Sequence, residues 1–335
     1  MGHLPSFARA CLHRLRRVAS ALIAGLLVLH ALGAGAFDLQ GRRGTRGLAP
    51  ENSLAAFRTA LAIGVDTLEL DVHATRDGAL VIAHDPRLNA AFTRDAAGQW
   101  IDASAPAIIE LTLAQLQRYD IGRARPGSKY ARTWPEQRGR DGEHVPTLAS
   151  LFEMLQRLGA RDVRLNIEVK LSPLTPELTP PPEDYVRSLL DVIDAHDMAA
   201  RVSIQSFDWR TLALVHRLAP GIATSALTVR QRWLDNVGDP RWTDGLVLAE
   251  HADSVPRMVK AAGAATWTPY FGDLSEAQVA EAHALGLKVV PWTVDDPADV
   301  ERLVAWKVDG LITDYPDRAR AVLVRLGIPV APALP

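Results

Sequence analysis

The sequence places ELDVHATRDG at residues 69–78 and, directly after it, ALVIAHD at residues 79–85. Apolar and acidic side chains alternate over residues 65–72, and residues 79–83 form a short apolar run, so both segments are predicted to be β-strands. An Asp-Gly pair at residues 77–78 separates them and favours a tight turn. This part of the chain is therefore predicted to be a strand, a turn and a second strand.

Side chains two positions apart project from the same side of a strand, so Glu69, Asp71 and His73 are expected to share one side. Two neighbouring carboxylates repel each other and are costly to desolvate unless a cation pairs with them. His84-Asp85 ends the second predicted strand and brings an imidazole to the same rim. The pattern indicates a hard divalent cation beside an acid–base residue, and the alternative is a solvated acidic face.

The composition is typical of a globular protein. The chain has 335 residues, of which 48% are hydrophobic and 23% charged, enough to bury a large core. The formal net charge is −2, so the charge balance does not indicate a nucleic-acid partner. Cys11 is the one cysteine, which excludes disulfides, thiolate metal sites and a cysteine nucleophile from the rest of the chain.

Residues 1–36 have the pattern of a secretory signal peptide. Arginines precede an almost wholly apolar run at residues 18–32, and the sequence AGA at residues 34–36 fits a small-residue cleavage site. The run is shorter than the ~20 residues of a spanning helix, so removal is favoured over a retained membrane anchor. We expect the mature protein to begin near Phe37 and to be exported, periplasmic or secreted, with no stable membrane anchor.

A basic, glycine-rich segment, GRRGTRG, occupies residues 41–47 after a short predicted strand. Glycine lets the backbone approach a ligand closely, and arginine matches phosphate with two hydrogen bonds. The segment is therefore a candidate phosphate-binding loop, and the alternative is a solvated flexible loop. Pro50, Glu51 and Asn52 follow and are predicted to begin a helix that ends at Gly64.

After residue 146 the chain alternates between short apolar strands and amphipathic helices. This alternation predicts βαβ units and a parallel sheet. About eight such units fit an α/β fold of the (β/α)8 TIM barrel type. One of the predicted strands is at residues 245–249. Glu168 and Lys170 close one predicted strand and share a face. They are candidates for a third carboxylate ligand and a phosphate-binding cation, and the alternative is a structural ion pair.

The motifs in this order and spacing resemble those of glycerophosphodiester phosphodiesterases of the exported bacterial type. They cover the chain from about residue 39 to residue 320, and any one of them is weak alone. The matches are Arg43-Gly44, Pro50-Glu51-Asn52, Glu69-x-Asp71, Thr75-x-Asp77-Gly78, His84-Asp85, Glu168-x-Lys170, Ser206-Phe207, Trp292-Thr293-Val294 and Gly310-x-x-Thr313-Asp314-x-Pro316.

The resemblance also implies a domain organisation. Residues 37–325 would form the TIM barrel, and residues 326–335 a C-terminal tail. The irregular segment at residues 86–146 would be a small insertion after the second barrel strand that shapes the substrate side of the pocket. Trp100, Tyr130 and Trp134 are candidates for that wall, with local packing as the alternative.

The activity implied by the resemblance is the metal-dependent hydrolysis of glycerophosphodiesters to glycerol 3-phosphate and an alcohol, a reaction of lipid and glycerol metabolism. A divalent cation, Ca²⁺ in preference to Mg²⁺, would be held by Glu69, Asp71 and Glu168. His84 would serve as one half of an acid–base pair. Arg43 and Lys170 would neutralise the phosphodiester, with Arg43 oriented by Glu51. Phe207 and Trp292 would pack on the glycerol or the head group.

One position departs from the family pattern, because Arg42 stands where the first motif has a histidine. Arginine is protonated at all ordinary pH values, so it can stabilise a developing negative charge but cannot act as a general base. Two alternatives follow: His73 takes over the missing role, or nothing does and the chain is a catalytically impaired phosphodiester- or phospholipid-binding relative. A third function class, separate from this substitution, is a related phospholipase that acts on lysophospholipids or sphingolipids. The last would need an apolar groove.

Overall fold

A computed structural model describes residues 37–334, so the predicted signal segment at residues 1–36 lies outside the described part of the chain. In that part, the chain folds into one barrel of parallel strands surrounded by helices, which confirms the predicted fold class. No helix among residues 37–334 is both long enough and apolar enough to cross a membrane.

Eight parallel strands form the barrel, and they are joined in the order β10-β9-β6-β5-β4-β2-β1-β11. The amides of Asp309 and Ile312 donate to the carbonyl oxygens of Val289 and Pro291, both at 2.9 Å, and so connect β10 to β11. The strands are β1 (Asp38–Gly41), β2 (Thr67–Ala74), β3 (Leu80–Ile82), β4 (Arg164–Val169), β5 (Val202–Ser206), β6 (Ala223–Thr228), β7 (Arg230–Gln231), β8 (Leu234–Asp235), β9 (Thr266–Pro269), β10 (Lys288–Val289) and β11 (Gly310–Thr313). Three of them, β3, β7 and β8, lie outside the barrel path.

Helices follow the barrel strands and bury their apolar faces against the outside of the sheet. Side-chain caps such as Ser53, Thr147 and Ser275 satisfy the first free amides of three of them. The helices are α1 (Leu54–Ile63), α2 (Leu113–Leu116), α3 (Lys129–Thr133), α4 (Leu148–Arg157), α5 (Pro182–Ala195), α6 (Trp209–Leu218), α7 (Val255–Ala261), α8 (Glu276–Ala284), α9 (Pro297–Ala305) and α10 (Pro316–Arg325).

The segment at residues 86–146 lies between β3 and α4 and contains α2 and α3. It has a small hydrophobic core of its own, separate from the main one, in which Leu88, Ile108 and Leu116 are buried. β3 pairs antiparallel with β2 and carries Val81 into this second core. The segment is therefore packed against the carboxyl end of β2, beside the rim at which active sites of such barrels are built.

The predicted strand at residues 245–249 is wrong. Asp244 and Gly245 have positive φ values of 56° and 84°, which turn the backbone away from an extended course, and a 3₁₀ turn follows at Leu248–His251. The connection after β6 instead contains the hairpin of β7 and β8. Farther along, the tail after α10 packs on the barrel, where the Leu334 amide donates to Leu61 O at 2.9 Å.

Candidate active site

Three carboxylates meet at the carboxyl ends of two neighbouring strands. Glu69 and Asp71 project from β2 and Glu168 from β4, and Asp71 and Glu168 are paired in register. All three are 5% exposed or less, and one oxygen of each lies within 4.8 Å of the others. Asp71 Oδ1 is buried without a hydrogen-bond donor.

The electrostatics of this cluster fit a bound cation. Burial, followed by the charge of Asp71, raises the pKa of Glu69 to about 8. Burial also raises the pKa of Glu168 to about 7, although Lys170 opposes the shift. Burial alone would raise the pKa of Asp71, but Lys170 and Arg43 lower it to about 2. Oxygen ligands and a buried unpartnered oxygen are what Ca²⁺ and Mg²⁺ bind, so these residues can hold a divalent cation.

Arg43 links the glycine-rich loop to the carboxylates. Its backbone has φ 47°, and its amide donates to Glu69 Oε2 at 2.9 Å. Its Nη1 donates to Glu51 Oε1 at 2.6 Å, and its Nε lies 3.3 Å from Asp71 Oδ2. Burial opposes the charge of Arg43, but Glu51 and Asp71 more than compensate and raise its pKa above the ordinary value. The side chain therefore stays charged beside the carboxylates.

Two residues behind this cluster were given no role from the sequence. Asn52 Nδ2 donates to Asp71 Oδ2 at 2.9 Å, and Gln205 Nε2 donates to Glu69 Oε1 at 2.9 Å. Asn52 belongs to the Pro-Glu-Asn motif, which was a usable signal, whereas nothing in the sequence marks Gln205. The two neutral amides therefore orient one oxygen of Asp71 and one oxygen of Glu69.

The other two arginines of the loop differ in their partners. Arg46 forms a two-point ion pair with Asp314, with contacts of 2.9 and 2.5 Å, and stacks on Trp134 at 4.2 Å. Arg42 lies 3.7 Å from the same carboxylate, and its Nη1 is buried with no hydrogen-bond partner in the described residues. Burial, and then Arg43 and Arg46, lower the pKa of Arg42. Its guanidinium therefore keeps hydrogen-bonding capacity at the cavity wall.

His84 is oriented by its neighbour in sequence. Its Nδ1 lies 2.7 Å from Asp85 Oδ1, and Asp85 in turn accepts from Asn89 Nδ2 at 2.7 Å. With the proton on Nδ1, Nε2 of His84 carries the lone pair. Burial, and then Arg43 and Lys170, lower its pKa well below the ordinary value, so the ring is neutral near pH 7.

His73 lies close to His84 but in a different setting. It is 2% exposed, and its Nε2 is 3.2 Å from the backbone oxygen of His84. Burial lowers its pKa to about 4. One ring nitrogen of His73 is thus engaged with the backbone, where it supports the position of His84.

A cavity of about 470 Å³ opens over these groups. Eight of the ten predicted site residues line it, while Glu51 and Asp71 lie behind the wall. The eight are Arg42, Arg43, Glu69, His84, Glu168, Lys170, Phe207 and Trp292. Lys170 Nζ donates to Glu168 Oε1 at 2.7 Å and lies 3.6 Å from Asp71 Oδ1. One side of the cavity is therefore charged.

Another part of the cavity lining is aromatic. The rings of Phe207 and Trp292 meet edge to face with centroids 5.4 Å apart, and Trp233 lies 6.3 Å from Trp292. Trp233 was not singled out from the sequence, because it lies in a connection with no family motif. It projects from the hairpin that the sequence did not predict.

The chain is similar to known proteins over most of its length. Residues 43–318 match the model of the glycerophosphoryl diester phosphodiesterase family. A glycerophosphodiester phosphodiesterase of Caldanaerobacter subterraneus subsp. tengcongensis is 30% identical over 275 residues, 82% of this chain and 93% of the relative. One from Bacillus subtilis is 29% identical, with 82% of each chain covered.

Solved structures share the fold. A Silicibacter pomeroyi protein assigned as a glycerophosphoryl diester phosphodiesterase is 34% identical with a TM-score of 0.80, and the match covers 89% of this chain and 96% of that one. An Oleispira antarctica phosphodiesterase in complex with the product sn-glycerol-3-phosphate is 22% identical with a TM-score of 0.63, over 86% of this chain and 97% of that one.

Proposed function

The chain belongs to the glycerophosphoryl diester phosphodiesterase family, a family of phosphoric diester hydrolases, and from that premise we propose that it hydrolyses glycerophosphodiesters in a metal-dependent reaction. The products are glycerol 3-phosphate and an alcohol. The observation that carries the proposal is the cavity in which a buried carboxylate triad faces basic side chains and an oriented histidine. The sn-glycerol-3-phosphate complex of the Oleispira antarctica protein supports a small phosphate ester as the ligand.

Glu69, Asp71 and Glu168 hold the divalent cation in this proposal, with Ca²⁺ favoured over Mg²⁺ because the chain is expected to be exported. A bound divalent cation polarises the phosphoryl group and offsets negative charge that develops in the transition state. The buried Oδ1 of Asp71, which has no donor, supports this ligand set.

Arg43 and Lys170 bind the phosphodiester oxygens. Both are fixed by carboxylates, Arg43 by Glu51 and Lys170 by Glu168, so their charges are already placed when substrate arrives. Preorganised donors of this kind stabilise a transition state without reorganisation. Phe207 and Trp292 pack on the carbon skeleton of the substrate at the aromatic part of the lining.

His84 exchanges the proton. Its Nδ1 is committed to Asp85, so Nε2 of the neutral ring accepts the proton of the attacking hydroxyl or water as the new P–O bond forms. The ring then passes that proton to the oxygen of the alcohol, which leaves as its own P–O bond breaks. His73 is the weaker candidate for this role, because one of its ring nitrogens faces the backbone oxygen of His84.

Arg42 contributes charge in this mechanism and moves no proton. Its Nη1 lacks a partner in the described residues, and its distance of 3.7 Å from Asp314 leaves the guanidinium able to bind a phosphoryl oxygen. An arginine at this position thus strengthens phosphate binding while it removes one half of the family's acid–base pair.

The same residue favours a second candidate function, a binding relative that holds phosphodiesters and turns them over poorly. Loss of one acid–base partner costs about 10²–10⁴ in rate. The two candidates differ in whether native protein releases glycerol 3-phosphate faster than a variant without His84.

The test is release of glycerol 3-phosphate from a glycerophosphodiester, followed with Ca²⁺, with Mg²⁺ and with a chelator. Glu168→Gln keeps the size of one ligand and removes its charge, and Glu250→Gln, on a surface turn after β8, is the matched control. The proposal expects cation-dependent release that Glu168→Gln abolishes and the control retains. Release that is indifferent to the chelator would contradict the metal role.

The proposal for location rests on residues 1–36 alone. A basic start, an apolar run and a small-residue site support export to the periplasm or the medium. Fractionation of cells that express the full chain tests it. Mature protein beginning near Phe37 outside the cytoplasm is expected, and an uncut cytoplasmic chain would contradict it.

A further inference from the structure

A short hairpin overhangs the aromatic side of the cavity. β7 and β8 pair antiparallel, and Trp233 lies in the turn between them. Trp233 is 62% exposed, although its ring packs edge to face on Tyr270 with centroids 6.0 Å apart and on Trp292 at 6.3 Å. Because Trp233 lines the cavity and is contiguous with these two rings, it belongs to a grouped apolar surface of the kind that contacts ligands, and is not a single exposed side chain.

The hairpin is held in place at its base. Asn236 is fully buried, and its Oδ1 accepts from the Val229 amide at 2.9 Å. Its Nδ2 donates to the carbonyl oxygens of Phe207 and Leu227, both at 3.0 Å. Because a buried side chain ties the hairpin to the strand end that carries Phe207, the position of Trp233 is coupled to the aromatic wall.

A second connection holds the outer strand. Asp273 accepts from the Arg230 amide at 2.7 Å and from Gln231 Nε2 at 2.5 Å. One backbone amide and one side-chain amide of a two-residue strand, which would be unstable alone, are thus held by the same carboxylate. The exposed Trp233 therefore sits on a fixed support.

Apolar side chains share the cavity lining with Trp233. They come from the loops after β4, β5, β6 and β10 and from β6 and β11 themselves, and include Leu171, Phe207, Leu227, Trp242, Trp292 and Ile312. A volume of about 470 Å³ lies within the range of about 300–1,000 Å³ for pockets that take drug-sized ligands, which leaves room beyond a glycerol phosphate.

The charges of the cavity disfavour a cation in this space. The two carboxylates in the lining, Glu69 and Glu168, both belong to the candidate metal site. Lys170 Nζ already lies 6.0 Å from the centre of the Phe207 ring. A cationic head group beside Phe207 would meet a like charge and no free carboxylate among the described lining residues.

We propose that Trp233, together with Leu234 and Trp292, forms the subsite for the alcohol half of the phosphodiester and selects a neutral, apolar alcohol over a cationic one. This inference rests on the proposed function, since it assigns the second half of the same substrate. It makes Trp233 a specificity-determining residue that acts through direct contact.

The test uses three esters of glycerol 3-phosphate: methyl, choline and 3,3-dimethylbutyl. The last two have the same shape and differ in a quaternary nitrogen against a quaternary carbon. Native protein is expected to favour the dimethylbutyl ester over the choline ester by about tenfold in kcat/KM, in line with the 10–200-fold selectivity of apolar pockets. Trp233→Ala is expected to lower the ratio of kcat/KM for the dimethylbutyl ester to kcat/KM for the methyl ester by about fivefold or more, because the aromatic surface that covers the larger alcohol is lost.

Val324→Ala is the matched control, because Val324 is an exposed apolar residue on α10, at 58% exposure, and lines no part of the cavity. Val324→Ala should leave kcat/KM for all three esters unchanged. If native protein prefers the choline ester and Trp233→Ala loses that preference, the proposal is overturned and the aromatic residues form a cation-binding site. If the ratio of kcat/KM for the dimethylbutyl ester to that for the methyl ester is the same in native protein and Trp233→Ala, Trp233 does not contact the alcohol.

Absence of turnover with every ester would contradict the proposed function and leave a direct test of the subsite. The same three esters are then titrated calorimetrically into the native protein and Trp233→Ala. Tighter binding of the dimethylbutyl ester than of the choline ester, lost in Trp233→Ala, supports the subsite. Equal affinities overturn it.

Discussion

Tyr130 Oη donates to Glu51 Oε2 at 2.6 Å, while Glu51 Oε1 accepts from Arg43 Nη1 at 2.6 Å. The carboxylate of Glu51 therefore joins the segment inserted after the second barrel strand to the arginine beside the three carboxylates of the candidate metal site. Burial, followed by the charge of Glu51, raises the pKa of Tyr130 well above its ordinary value, so the phenol stays a donor. Gln137 Nε2 adds a donor to the same hydroxyl at 3.2 Å.

Tyr130→Phe removes this hydrogen bond and keeps the ring, which packs on Phe92 at 5.0 Å. Hydrogen bonds to charged groups contribute about 1.5–3 kcal/mol, so kcat/KM should fall about tenfold or more. The reason is that Glu51, which positions Arg43, is no longer held by the phenol. Steady-state kinetics and thermal unfolding are measured together. Tyr119→Phe, in the same inserted segment, is the control. Unchanged kinetics in Tyr130→Phe would show that Arg43 is positioned without the phenol.

Asp85→Asn tests the orientation of His84. The neutral amide of asparagine can turn either its oxygen or its NH2 group toward Nδ1, whereas the carboxylate only accepts, so the ring loses its fixed preference for the tautomer with the proton on Nδ1. We expect His84→Asn to lower kcat by about 10²–10⁴ and Asp85→Asn to lower it by a smaller factor. His73→Asn serves as the comparison and should cost less than His84→Asn. A larger loss in His73→Asn would instead identify His73 as the acid–base residue.

Asp71→Asn tests the cation site without any assay of activity. A cation that binds only the folded state raises the melting temperature as its concentration exceeds the dissociation constant. Ca²⁺ should raise the Tm of native protein, and Asp71→Asn should lose that shift. Asp244→Asn is the control, since its left-handed backbone suits asparagine. A calcium shift that persists in Asp71→Asn would place the cation elsewhere.

Asp295 should make stability depend on pH. Burial, followed by the charge of Asp314, raises its folded-state pKa to about 6. A carboxyl group with a raised folded-state pKa stabilises the fold at low pH, and that contribution is lost as the pH rises through about 6. In Asp295→Asn the side-chain oxygen can still accept from the Asp314 amide and Thr313 Oγ1, which donate to Oδ1 at 2.8 and 3.1 Å in the native chain.

The free energy of unfolding of Asp295→Asn, relative to native protein, should therefore increase between about pH 4 and pH 6 and level off above about pH 7. Denaturant unfolding followed by tryptophan fluorescence at several pH values gives this difference. A difference that is constant across the range would mean that the folded-state pKa of Asp295 is not raised.

Much of the charged half of the site follows from local sequence patterns. Glu69 and Asp71 are two positions apart on one strand, so the period of a strand alone predicts that they share a face. The structure pairs Asp71 with Glu168 on the next strand, as expected for parallel strands that end at one rim. The barrel itself follows from repeated β/α alternation.

The remaining features depend on contacts between distant residues. Tyr130 and Glu51 are 79 positions apart, and the aromatic residues of the inserted segment offered no local sign of which one reaches the loop. The hairpin of β7 and β8 was missed because two-residue strands are too short for a periodic pattern. The wrong strand at residues 245–249 has the opposite cause, since an apolar run there is turned by Asp244 and Gly245.

Comparison of native protein with Arg42→His tests the central claim most directly. The methyl ester of glycerol 3-phosphate is the substrate, Ca²⁺ is present, and release of glycerol 3-phosphate is followed with His84→Asn as the reference. We predict that native protein exceeds His84→Asn by at least about a hundredfold, the lower end of the 10²–10⁴ range of acid–base catalysis, and loses its activity with chelator. If native protein is no faster than His84→Asn and Arg42→His restores turnover, the claim of catalysis is contradicted. The chain is then a family member that binds phosphodiesters but is catalytically disabled by Arg42.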